Sequence, residues 1–137
     1  MKKLLKIGLV LAFLAGIYAY YLYNKPVAKL ESVKPDYSLT AEELFSQFEN
    51  NEAEANKKYL GKILEVNGKI QNLSLSDSGD FNLILASGSE MFGINCGMSA
   101  SEDAQYKSYK VGDSIKVKGE CAGISMDVVM TRCVIVK

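Results

Sequence analysis

KILEVNGKIQNL, residues 62–73, alternates too regularly to be a helix. Leu64, Val66, Gly68 and Ile70 fall on one side of an extended chain. Ile63, Glu65, Asn67 and Lys69 fall on the other, which is the two-residue period of a half-buried strand. Gly68 in the middle of the run would weaken a flat sheet. It suits a strand that must bend or admit a second backbone at close range.

Downstream the same period recurs between turn signals. Ser74–Asp80 (SLSDSGD) is turn chemistry, Phe81–Ala86 a second strand, and Ser87-Gly88-Ser89 a second turn. Met91–Met98 is a third strand with Phe92, Ile94, Cys96 and Met98 on one side. Ser99–Lys110 is polar, with Ser101 placed as a cap for a short helix or loop. Val111-Gly112-Asp113 then turns into a fourth strand in which Ile115, Val117, Gly119 and Cys121 alternate. Ala122–Met126 is read as a hairpin and Asp127–Val136 as the fifth strand. Three strands, a longer connection and two more strands match a Greek-key OB barrel, and Gly68 and Gly119 fall where a small barrel bends. The expected fold is mainly β: a five-stranded OB barrel preceded by one or two short helices and an N-terminal transmembrane helix.

Upstream of residue 62 the period is helical. Thr40 and Glu43 form a capping box, Leu39 and Leu44 stand at the staple positions, and Leu44, Phe45 and Phe48 make an apolar face. A second helical stretch, Glu52–Tyr59, is expected across one mouth of the barrel. Asn24–Pro35 has two prolines, mixed charges and no periodic face, as a tether does. Before it, Ile7–Tyr23 (IGLVLAFLAGIYAYYLY) carries no charge. With Leu4, Leu5 and a snorkelling Lys6 it reaches about 20 residues, the length of a bilayer-spanning helix. The tyrosines at 18, 20, 21 and 23 have the composition of an interfacial belt.

The expected organisation is an anchor over 1–24, a tether over 25–38 and a domain over 39–137. Lys2, Lys3 and Lys6 favour a cytoplasmic N-terminus, hence a single-pass inner-membrane protein with an extracytoplasmic domain. A cleaved signal peptide is the rival. Against it stand the length of the apolar run and the tyrosines where small cleavage-site residues belong, and Ile17 occupies the position a lipidated cysteine would need. Either way the domain is exported.

The chain is neutral, with 16 basic and 16 acidic residues, but the balance is uneven. From Asp36 onward ten basic residues face fifteen acidic ones, a net charge of −5. Phosphate backbones need a basic footprint, so a nucleic-acid partner is disfavoured. Lys62, Lys69, Lys116 and Lys118 could line one outer face, yet each also occupies an ordinary solvent-facing strand position. Phe45, Phe48, Phe81 and Phe92 fall at core-like positions rather than on a stacking platform.

The absence of histidine removes the usual general base, so no catalytic residue is assigned. No cofactor is implied. Asp77 and Asp80 frame a turn with too few oxygens for calcium, and three spaced cysteines make a poor zinc set. In OB topology the fifth strand runs parallel to the third and lies between it and the fourth, which brings Cys96 and Cys133 near each other. A Cys96–Cys133 disulfide, another pairing of the three, or three buried thiols all remain open. The face opposite the apolar alternation carries Asn82, Ile84, Ala86, Gly93, Asn95 and Gly97. With Lys62 and Lys69 at its margins, it is the expected ligand surface of a binding module for a protein, peptide or glycan partner.

Several of these residues also carry a resemblance. Asn51-Glu52, Ala55-Asn56-Lys57-Lys58-Tyr59-Leu60-Gly61-Lys62 and Val66-Asn67-Gly68-Lys69-Ile70 resemble the opening of the tRNA anticodon-binding-like (tRNA_anti-like) OB-fold family of small exported bacterial proteins. Val111-Gly112-Asp113, Val117-Lys118-Gly119-Glu120-Cys121-Ala122-Gly123 and Cys133 are similar to its second half. The resemblance spans about residues 40–136 and implies the barrel. It leaves the ligand open, with single-stranded nucleic acid as the alternative that the family's name suggests.

Overall fold

The computed structural model describes residues 2–23, 30–77, 80–98 and 108–136, with backbone alone at 2–5, 22 and 23. The helices are α1 (Lys2–Tyr23), α2 (Ala41–Asn50) and α3 (Glu52–Tyr59). The strands are β1 (Tyr37–Thr40), β2 (Ile63–Leu75), β3 (Phe81–Ala86), β4 (Gly93–Met98), β5 (Ser114–Ile124) and β6 (Val128–Val136). The expected segment at 99–107, with its cap Ser101, lies outside the described residues.

β2 belongs to two ladders. Its first half pairs antiparallel with β5, from Ile63 opposite Glu120 to Lys69 opposite Ser114. Its second half pairs antiparallel with β3, from Ile70 opposite Leu85 to Leu75 opposite Phe81. β3 pairs with β4, β4 runs parallel to β6, and β6 returns to β5. The ring β2-β3-β4-β6-β5 therefore closes on itself as the OB order requires. Leu64, Val66, Ile70, Leu83, Leu85, Ile94, Cys96, Val117 and Met130 fill its interior, each at most 1% exposed.

Two glycines make this closure possible. A Cβ on Gly68 would lie 3.0 Å from the Ala41 Cβ and 3.2 Å from that of Leu85, so its bareness lets α2 approach β2. A Cβ on Gly119 would lie 2.5 Å from the Cys133 Sγ and 3.1 Å from the Thr131 carbonyl.

α2 begins where the capping box predicts. The Glu43 N–H donates to Thr40 Oγ1 at 3.1 Å, and the Thr40 N–H donates to Glu43 Oε2 at 3.0 Å. Ala41, Leu44, Phe45 and Phe48 are buried, and the helix touches β2, β3, β4 and β6. It thus closes one end of the barrel, the part expected of the second helix. α3, with only Ala55 and Tyr59 buried, packs instead against α2 and β5. The Tyr59 hydroxyl donates to Gln47 Oε1 at 2.6 Å, and the Tyr37 ring meets Tyr59 edge-on at 5.1 Å.

The tether is where the structure departs most from expectation. Instead of running free from 25 to 38, the chain is docked from Leu30 onward. Leu30 is buried in a 3-10 turn, Leu30–Ser32, against β5 and β6. Lys118, read from the sequence as solvent-facing, is 5% exposed. Its ammonium donates to the carbonyls of Glu31 at 3.1 Å and Val33 at 2.9 Å. Asp36 then exchanges bonds with Ile63: its N–H donates to the Ile63 carbonyl, and its carboxylate accepts from the Ile63 N–H. From there Tyr37–Thr40 runs parallel to β2 as β1, along the stretch that β3 does not reach. Nothing in the local sequence of 30–40 signals a strand, because its partner is 27 residues away.

The side chains of α1 from Lys6 to Tyr21 are exposed. Among the described residues no helix is long and apolar enough to cross a membrane, so the span expected through residues 4–23 rests on the sequence.

Two substitutions test this packing by chemical denaturation. Lys118→Met leaves two carbonyls without their donor and is expected to lower unfolding free energy by about 1–3 kcal/mol. It should also speed amide exchange selectively in the docked segment. Gly119→Ala is expected to cost a similar amount, about 1–3 kcal/mol, because strand backbone and a buried sulfur must both give way.

Candidate functional site

The outward surface of β3 and β4 forms by simple register. Asn82 lies opposite Gly97, Ile84 opposite Asn95, and Ala86 opposite Gly93. On the other side β2 contributes Asn72 opposite Ile84 and Ser74 opposite Asn82. Ile84 is therefore flanked across both ladders by asparagines, and no charged side chain shares these rows.

Sequence reading missed Asn72 and Ser74 because strict alternation would turn Gln71 and Leu73 outward. The register shift between Ile70 and Asn72 makes Gln71 an extra residue and reverses the parity beyond it. Gln71 reaches along the surface instead, donating weakly to the Glu90 carbonyl at 3.4 Å, while its Oε1 is buried without a hydrogen-bond partner.

The other expected residues separate. Gly93 is buried, and a Cβ there would sit 2.4 Å from the Leu85 carbonyl, so it serves packing. Its N–H donates to Asp127 Oδ1 at 2.8 Å, which fixes the β5–β6 turn to the start of β4. Lys69 lies on the rim of a concavity of about 660 Å³ that Asn67, Ala86, Tyr109, Lys116 and Ile135 also line, so this hollow meets the β3–β4 face at Ala86. Lys116 there pairs with Glu65 at 3.5 Å. Lys62 is exposed just ahead of β2 and does not border that concavity. The four lysines do not make one basic face: one is buried, one is paired, and the remaining two lie apart.

The cysteines are all buried as thiols, and the Cys96 thiol donates to the Ile94 carbonyl at 3.8 Å. Interaction with the Cys96 side chain, and then burial, push the Cys133 thiol well above its ordinary value; burial raises Cys121. Thiolate nucleophiles are disfavoured at both. Among the described residues no three of the His, Cys, Asp or Glu type gather as metal ligands.

With the barrel and its surfaces described, comparison with known proteins places the chain. The tRNA_anti-like family matches residues 1–135. The chain belongs to the tRNA_anti-like family. No curated protein matches it. Among solved structures, this tRNA_anti-like chain is similar to a lipoprotein of Klebsiella pneumoniae subsp. pneumoniae, provisionally described as nucleic acid-binding. The TM-score is 0.60 at 18% identity, over 72% of this chain and 91% of that one. A weaker likeness, with a TM-score of 0.41 at 14% identity over 55% of this chain and 58% of the other, is to the Stn1–Ten1 complex of S. pombe. At these identities the likeness shows the fold alone.

Asn82 and Asn95 are half-buried on the outward side of the sheet, whereas Gly93 is buried and hemmed by backbone. Asn82→Ala and Asn95→Ala are each expected to change unfolding free energy by less than about 0.5 kcal/mol, as surface positions do. Gly93→Ala should cost several times as much, and denaturant melts of the three variants make the comparison.

Proposed function

We propose that the protein is a non-catalytic binding module, anchored by α1 in the inner membrane with its barrel on the extracytoplasmic side. Its recognition surface is the β3–β4 face with the neighbouring β2 residues. The observation that carries this reading is the row Asn72–Ile84–Asn95, with Asn82 beside it: amides around an apolar centre, without a charge. Amides donate and accept at once, which suits a polymer of uncharged hydrogen-bonding groups, a glycan or an extended peptide. The anchor is supported by the uncharged run from Ile7 to Tyr23 and its lysine-rich start.

The rival reading, a single-strand nucleic-acid binder, draws on the description of the Klebsiella lipoprotein. Against it stand the net charge of −5 from Asp36 onward, the burial of Lys118 and the pairing of Lys116 with Glu65.

Two measurements bear on this. A C-terminal phosphatase fusion, active only after export, should be active, and a fluorescent reporter that matures only in the cytosol should be dark; the reverse pattern removes the envelope assignment. A single-stranded oligonucleotide at physiological salt should bind no more tightly than about 10⁻⁴ M, the weak end of non-specific association. Micromolar binding that weakens steeply with salt would instead favour the rival.

A further inference from the structure

We propose that the hollow beside the β3–β4 face is a second binding site, which takes a small alkyl or aryl carboxylate. This site goes beyond the recognition surface above and does not depend on what that surface binds.

The hollow forms where four strands lie side by side. Thr40 of β1 lies opposite Asn67 of β2, Asn67 opposite Lys116 of β5, and Lys116 opposite Val136 of β6. In the adjoining row Lys69 lies opposite Ser114. Lys69 and Lys116 are thus diagonal neighbours, about 7 Å apart at the backbone, close enough for two lysine stems to converge on one group.

Beneath them the surface is apolar. Gly68 is bare because Ala41 and Leu85 crowd its Cβ position at 3.0 and 3.2 Å. Ile115 and Ile135 line the hollow from the core side and keep 8% and 6% exposure, whereas Val66, Leu85 and Val117 are fully enclosed. The hollow therefore reaches down to the packing of the barrel. Its volume of about 660 Å³, apolar floor and few polar rim groups are the make-up of a small-molecule site.

The rim decides the charge of the occupant. Lys69 is exposed, and among the described residues no carboxylate pairs with it. Lys116 is held by Glu65 at 3.5 Å, with 40% of its side chain exposed. Such an exposed pair is weak, which leaves the ammonium free to turn to a second carboxylate. Glu42 is the acid of the rim, and a Cβ at Gly88 would lie 3.8 Å from its Cγ, so it inclines toward the β3–β4 turn. Among the described residues the lining thus holds two lysines and one carboxylate, in a domain of net charge −5 from Asp36 onward. Glu42, Glu65 and that net charge oppose a dianion or polyanion more than a single carboxylate, whose charge Lys69 matches. The Ser114 hydroxyl and Asn67 amide add neutral donors, and the isoleucine floor receives the apolar body.

The full chain in phosphatidylcholine nanodiscs is acetylated briefly at its amines, with and without naphthoate, and each lysine is read by mass spectrometry. At about 5 mM, several times the Kd of about 1 mM expected for a probe of this size, acetylation of Lys69 and Lys116 should fall about threefold. Lys57 and Lys62, exposed outside the hollow, should react as before. Neutral naphthol, the same body without the charge, should protect neither hollow lysine. Lys69→Gln should abolish the protection of Lys116, and Lys69→Arg should retain it; the position is exposed, so the fold tolerates both. No protection by naphthoate, equal protection of Lys57 and Lys62, equal protection by naphthol, or protection of Lys116 that survives Lys69→Gln overturns the site. Stronger protection by naphthyl phosphate than by naphthoate overturns the carboxylate as its occupant.

Discussion

The barrel hangs on β2. A single strand supplies hydrogen bonds to β5 along Ile63–Lys69 and to β3 along Ile70–Leu75, and the closed ring exists because it turns from one partner to the other within a residue or two. Gly68 and the extra residue Gln71 bracket that change of partner, one relieving side-chain crowding and the other re-phasing the pleat. Two elements outside the ring are arranged around this strand. α2 seats its first turn on Gly68, and β1 occupies the part of the β2 edge that β3 leaves vacant.

What was legible in the sequence was what depends on near neighbours. The capping box of α2 involves residues three apart, and it formed as read. Strand order followed from turn chemistry and alternation, and β3 has the limits expected. Long-range events escaped. Lys118 looks like any outward strand lysine until carbonyls 85 and 87 residues away arrive to meet its ammonium. The docked segment and β1 stayed hidden for the same reason. The bulge at Gln71 reverses side-chain parity without any local signature, so Asn72 and Ser74 were lost from the candidate face to the wrong phase. The asparagines on β3 and β4 were found because no bulge intervenes there.

The chemical character of the molecule follows from where its reactive groups sit. Its three thiols are enclosed, Lys118 is buried and Lys116 is paired. On the β3–β4 face, what remains open to a partner is amide and apolar surface. Family membership accords with the architecture.

The docking of Leu30–Asp36 has a mechanical consequence. Seven Cα steps join Tyr23 to Leu30, and even fully drawn out they reach at most about 25 Å. With α1 in a bilayer as proposed, the barrel is a short-leashed body, confined to a thin layer above the lipid and sampling its surroundings in two dimensions. Its encounters would be governed by lateral density of whatever lies at that height, and lengthening the leash at residues 24–29 would change which molecules it meets without touching the barrel itself.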